Sequence, residues 1–137
     1  MTSGFDPDKV KRPLSFNSNE RLKSRLEIQK VMKQGRRIRQ GPVSVFFLSK
    51  SYKEQEPVVQ AAFSVPKRRF KSASDRNRIK RRLREAYRLA KFDLIKSTFE
   101  RKKSLSLLIV WSDNSILSYI NLKNELDAVI QRLQEEL

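Results

Sequence analysis

The 137-residue chain carries 31 Lys and Arg against 15 Asp and Glu, a formal charge of +16, and it has neither histidine nor cysteine. Those absences exclude zinc fingers, imidazole metal sites, thiol nucleophiles, Ser-His-Asp triads and disulfide frameworks, and no apolar run approaches the ~20 residues of a membrane span. The length suits one modest core, so a soluble cytoplasmic protein is expected, and the charge favours a polyanionic partner, nucleic acid before a membrane surface.

Residues 1–20, with Pro7, Pro13 and a Ser/Asn cluster from Ser15 to Asn19, lack a sustained apolar period. They read as a flexible tail, with Lys9, Lys11 and Arg12 able to touch a polyanion, ahead of a single domain over residues 21–137. Ser24-Arg25-Leu26-Glu27 has the capping-box pattern, and Gly35 stands where a helix would stop, which predicts a helix from about Arg25 to Gln34. Its apolar members Leu26, Ile28, Val31 and Met32 spread over a wide arc, enough to meet both a core and something else.

Gly41-Pro42 punctuates the chain before the β-rich run Val43 to Leu48, and Pro57 precedes a second run, Val58 to Val65. The polar residues Ser49 to Glu56 between them fit a hairpin-type connection. Leu105 to Trp111 is the third predicted strand, and its continuous apolarity suits a central position. Ser118 then precedes an amphipathic helix with Leu122, Leu126, Val129, Ile130, Leu133 and Leu137 on one face. Trp111 at a strand end and Tyr87 beside an apolar stripe are expected to pack rather than to stack on bases.

The charge is concentrated. Between Lys67 and Lys91, twelve basic residues meet only Asp75 and Glu85, so this window carries +10 of the total +16. Ser74 or Asp75 can cap a helix from about Arg76 to Ser97, in which Ile79, Leu83, Ala86, Ala90 and Leu94 form one buried stripe. Asn77, Lys80, Arg81, Arg84, Arg88 and Lys91 lie opposite it, with Arg76, Arg78 and Arg82 on the flanks. Two acids cannot pair twelve bases, so the face is not a set of internal ion pairs. Arginine forks on phosphate oxygens, with release of counterions, supply the missing compensation.

The run Arg76-Asn77-Arg78-Ile79-Lys80-Arg81-Arg82-Leu83-Arg84-Glu85 resembles the signature helix of the bacterial ribonuclease P protein family. The resemblance extends through Phe63-Ser64-Val65-Pro66-Lys67-Arg68, a strand ending in a basic pair, and through Leu22 to Gly35, a first helix closed by glycine. It implies an α+β sandwich, a small central sheet with three main helices, ribosomal-protein-like. The βαβ crossover through the basic helix would be left-handed, against the usual right-handed rule.

The activity implied is removal of the 5′ leader of precursor tRNA by an endoribonuclease. By the same resemblance the protein would be its accessory subunit, with a catalytic RNA and its bound magnesium performing the hydrolysis. No catalytic or metal-ligating residue is then expected in this chain, whose carboxylates are scattered among arginines. The implied partners are ribonuclease P RNA and precursor tRNA, with the protein itself monomeric. Carried over residue by residue, Arg76, Asn77, Arg78, Lys80, Arg81, Arg84 and Arg88 would contact RNA, joined by Lys67 and Arg68. The family's cleft for the single-stranded leader falls on Ile28, Met32 and Phe46, of which only Phe46 offers a stacking surface. The turn Arg69 to Asp75 departs from the family pattern in having no glycine. The principal alternative is a structural ribosomal-RNA-binding protein; a DNA-binding regulator would need a partner helix where Val58 to Val65 stands.

Overall fold

In the computed structural model, which describes residues 20–137, three helices and four strands follow one another as α1 (Arg25–Gln34), β1 (Arg36–Gln40), β2 (Val43–Ser51), β3 (Val59–Ser64), α2 (Ala73–Glu100), β4 (Lys103–Trp111) and α3 (Tyr119–Glu136). The expected tail, apart from Glu20, lies outside the described residues. The sheet order is β1-β2-β4-β3. β1, β2 and β4 are antiparallel neighbours, whereas β3 and β4 are parallel, joined by the crossover through α2.

Alternation along the strands assigns the two faces of the sheet. Val43, Val45 and Phe47 of β2, with Leu105, Leu107, Ile109 and Trp111 of β4, point into the main core. There they meet Ile79, Leu83, Ala86 and Leu94 of α2 and Leu122, Leu126, Val129 and Leu133 of α3. On the other face Leu108 packs with Val31 of α1 and Leu22, bordered by Ile28, Phe46, Leu48, Ala62 and Val110. β4 therefore buries side chains on both faces, which is why its sequence is continuously apolar. Trp111 and Tyr87 are buried, as expected, and the Trp111 indole donates to the Ser115 carbonyl at 2.9 Å.

Four expectations need correction. β1 was not foreseen, since Arg36-Arg37-Ile38-Arg39-Gln40 offers a single apolar residue. It forms because the Gly41-Pro42 turn, with Gly41 at φ 56°, folds it back on β2 and buries Ile38. Ser49 to Glu56 is no hairpin connection, because β4 lies between β2 and β3; the most apolar strand takes the place where both its faces are covered. α2 begins three residues early, at Ala73, with the Ser72 hydroxyl accepting from the Asp75 amide at 3.4 Å, and it runs to Glu100.

Lys91, placed on the exposed face from helical spacing, is instead fully buried and paired with Glu20 at 2.7 Å. The segment just before α1 lies along the β3 edge, where the Leu22 amide donates to the Ala61 carbonyl at 2.9 Å. That segment brings the Glu20 carboxylate to this side of α2.

α1 has the expected bounds, and the Ser24 hydroxyl accepts from the Glu27 amide at 3.3 Å. Gly35 ends it for a steric reason. Its backbone is extended, and a Cβ there would collide with the Val31 carbonyl and lie 2.6 Å from the Phe47 carbonyl oxygen. Glycine thus lets the helix end press against β2, setting the spacing between α1 and the sheet.

Candidate nucleic-acid interface

Two surfaces emerge from this framework. The first is the polar side of α2. Asn77, Arg81 and Arg84 are exposed along it and Lys80 is half-buried, while Lys67 and Arg68 stand exposed in the turn after β3. Arg84 places its guanidinium 6.0 Å from the Phe63 ring of β3, so this basic face adjoins an edge strand of the sheet. Lys67, Arg68, Lys80, Arg81 and Arg84 have no carboxylate within ion-pair distance among the described residues.

The remaining arginines of the motif are engaged within the protein. Arg76 donates through Nη1 to the carbonyls of Phe70 at 2.7 Å and Lys71 at 2.9 Å, pinning the turn that leads into its own helix. Arg78 pairs with Asp75 at 3.1 Å. Arg88 is half-buried and grips Glu85 through two nitrogens, at 2.6 and 3.0 Å. Those hydrogen bonds hold the Glu85 carboxyl below its ordinary pKa, with the Arg88 charge adding to the effect. Arg82 reaches away to the Leu117 carbonyl at 2.6 Å. Beneath this face the Tyr87 phenol is buried edge-on to Phe63, and loss of solvent, aided by the Glu20 charge, pushes its pKa far above the usual value.

The second surface is the cleft between α1 and the open face of the sheet. Register places Arg37, Phe46, Leu108 and Ala62 side by side in one row across all four strands. Ile28 is half-buried against this row, Met32 is 51% exposed, and Phe46 is half-buried. Ile28 and Phe46 thus border one apolar cluster, and Met32 lies exposed on α1 one turn beyond Ile28. Leu26, at 78% exposure, points away into solvent. Sequence reasoning missed Arg37, which packs its guanidinium 5.7 Å from the Phe46 ring. The alternation of Arg37 and Arg39 around Ile38 was the available signal, hidden because one apolar residue is too little to suggest a strand.

The two surfaces meet at β3, whose Ala62 borders the cleft and whose Phe63 lies under Arg84. Their chemistry is complementary: forks and ammonium groups for phosphate on one, an apolar floor with an aromatic ring for bases on the other. Among the described residues no three Asp or Glu side chains gather in one place. No helix among them is long and apolar enough to cross a membrane.

A family model described as Ribonuclease P matches residues 16–134. The fold is similar to the RNase P protein of Staphylococcus aureus, with TM-score 0.60 and 18% identity over 83% of this chain and 94% of that one. It is also similar to the RNase P protein of Thermotoga maritima, with TM-score 0.59 and 17% identity over 82% of this chain and 96% of that one. A mutant of the Staphylococcus aureus protein, described as defective in mRNA degradation activity, matches with TM-score 0.62 and 18% identity over 84% of this chain and 88% of that one. A comparison with curated proteins returned no match.

Proposed function

This chain belongs to the ribonuclease P protein family, and from that membership we propose that it binds the catalytic RNA of ribonuclease P and the 5′ leader of precursor tRNA, assisting endonucleolytic removal of the leader. The observation that carries this reading is the set of five basic side chains, Lys67, Arg68, Lys80, Arg81 and Arg84, without carboxylate partners among the described residues and beside an apolar cleft. Asn77 adds an amide able to donate to phosphate or accept from a ribose hydroxyl.

In this reading the α2 face neutralises phosphates of the catalytic RNA. The cleft takes the unpaired leader, with Phe46 stacking on a base and Ile28 and Met32 closing over it as aliphatic walls. Arg76 acts indirectly, by fixing the turn that presents Lys67 and Arg68. Hydrolysis belongs to the RNA and its magnesium, and the protein lowers the repulsion between two polyanions that must approach.

The test is reconstitution with the cognate RNA at low magnesium. Adding the protein is expected to stimulate cleavage of a precursor tRNA, and an unchanged rate would overturn the reading.

A further inference from the structure

Arg37 stands at the rim of the cleft on edge strand β1. It is exposed, with its guanidinium carbon 5.7 Å from the Phe46 ring centroid and its Nη2 donating to Ser44 Oγ at 3.2 Å. Ser44 is buried and accepts a second bond from Ser112 Oγ at 3.0 Å, so the group that holds Arg37 is itself held. The other arginines of the strand are committed elsewhere. Arg36 pairs with Glu136 at 3.1 Å on the opposite face, and Arg39 donates to the carbonyls of Gly41 and Ser112. Arg37 has no carboxylate partner among the described residues, and with one N–H engaged by Ser44 the rest of its five donors stay available.

Basic residues on an edge strand also deter pairing between molecules, but that task needs only charge. Here a ring contact and a hydrogen bond to a fixed hydroxyl set the plane of the guanidinium, and a fixed plane is what a nucleobase stacks on. The helix wall of the cleft is aliphatic, so the flat surfaces bordering it are the Phe46 ring and the Arg37 guanidinium. Charge along the cleft agrees. Toward the other end of the strands lies a hollow of 290 Å³ lined by Glu27, Glu56, Gln60 and Ser106, with Lys50 tied to Glu56 at 3.5 Å. The one cation lining that hollow, Lys50, is already paired, whereas Arg37 has no carboxylate partner among the described residues.

We propose that Arg37 is a specificity residue of the cleft, stacking on one nucleobase of the single-stranded leader while its free donors bind the adjoining phosphate. This rests on the reading of the cleft as the leader site. The test uses holoenzyme reconstituted with ribonuclease P RNA and measures affinity for a leaderless tRNA, an intact precursor, and precursors with one leader nucleotide at a time made abasic.

In the wild type the leader raises affinity, and one abasic position costs about tenfold. Arg37→Ala and Arg37→Lys are both expected to lose about that much on the intact precursor, to become insensitive to that abasic position, and to bind leaderless tRNA unchanged. If Arg37→Lys keeps wild-type affinity and the same abasic sensitivity, the side chain is only a charge and the proposal fails. It fails equally if Arg37→Ala and every abasic position combine additively. A wild type that gains no affinity from any leader overturns the cleft reading, and this proposal with it.

Discussion

Lys91 has its whole side chain out of solvent, and Glu20, 2.7 Å away, supplies its carboxylate. A buried ammonium is tolerable only when paired, and removing one partner of such a pair is usually worse than replacing both by apolar groups. Glu20→Ala is therefore expected to destabilise the protein by about 3 kcal/mol in urea unfolding. A double variant, Glu20→Leu with Lys91→Met, should recover most of that loss, and a double variant as unstable as the single one would show that the pair does not act as a unit. This pair was out of reach of sequence reasoning for a definite reason. Helical periodicity put Lys91 on the outer face of α2, and nothing local announces that a residue 71 positions earlier returns to cover it.

At the scale of elements, α2 divides its arginines between two tasks. Arg76 holds backbone carbonyls of the preceding turn, while Arg81 and Arg84 have no carboxylate partner among the described residues. Arg81→Ala with Arg84→Ala should leave the melting temperature nearly unchanged, weaken binding to ribonuclease P RNA, and reduce the slope of log affinity against log salt by about two. Arg76→Ala should lower both stability and affinity, so melts and binding curves together separate the two roles. An unchanged salt slope in the double variant would move the RNA interface away from this face.

The motif and its helix were legible because arginine excess and a 3.6-residue stripe are local signals. The central place of β4 was legible too, from its apolarity. β1 and the true neighbours of β2 and β3 were not, since pairing partners are chosen by the whole sheet. The individual fates of Arg76, Arg78 and Arg88 depend on carbonyls and acids that only the folded chain brings near. Among the cleft residues, Phe46 was reached through the family resemblance, because spacing alone does not say which of the adjacent Phe46 and Phe47 faces α1, and the exposure of Met32 is visible only in the folded chain.

For the molecule as a whole, +16 on 137 residues is a self-repelling charge that binding to a polyanion relieves. Salt should therefore act with opposite signs on two measurements. Raising monovalent salt from roughly 10 mM to 200 mM shortens the screening length from about 30 Å to below 10 Å, which should raise the melting temperature of the free protein and weaken its RNA affinity. Thermal melts and binding titrations over one salt series check this, and a melting temperature that falls would mean that internal ion pairs outweigh the repulsion.

The sheet order has a consequence for the protein while it is being made. β2 and β3 are synthesised early, but the strand that joins them is β4, at Lys103–Trp111, which follows the whole of α2. Until β4 leaves the ribosome the two strands have no common partner, and the basic helix has no complete sheet to pack on. Sheet closure thus waits for one late, non-local docking event, the kind that folds slowly and leaves apolar strands open to misassembly. The nascent chain therefore displays its most basic segment before the sheet that α2 packs on is complete.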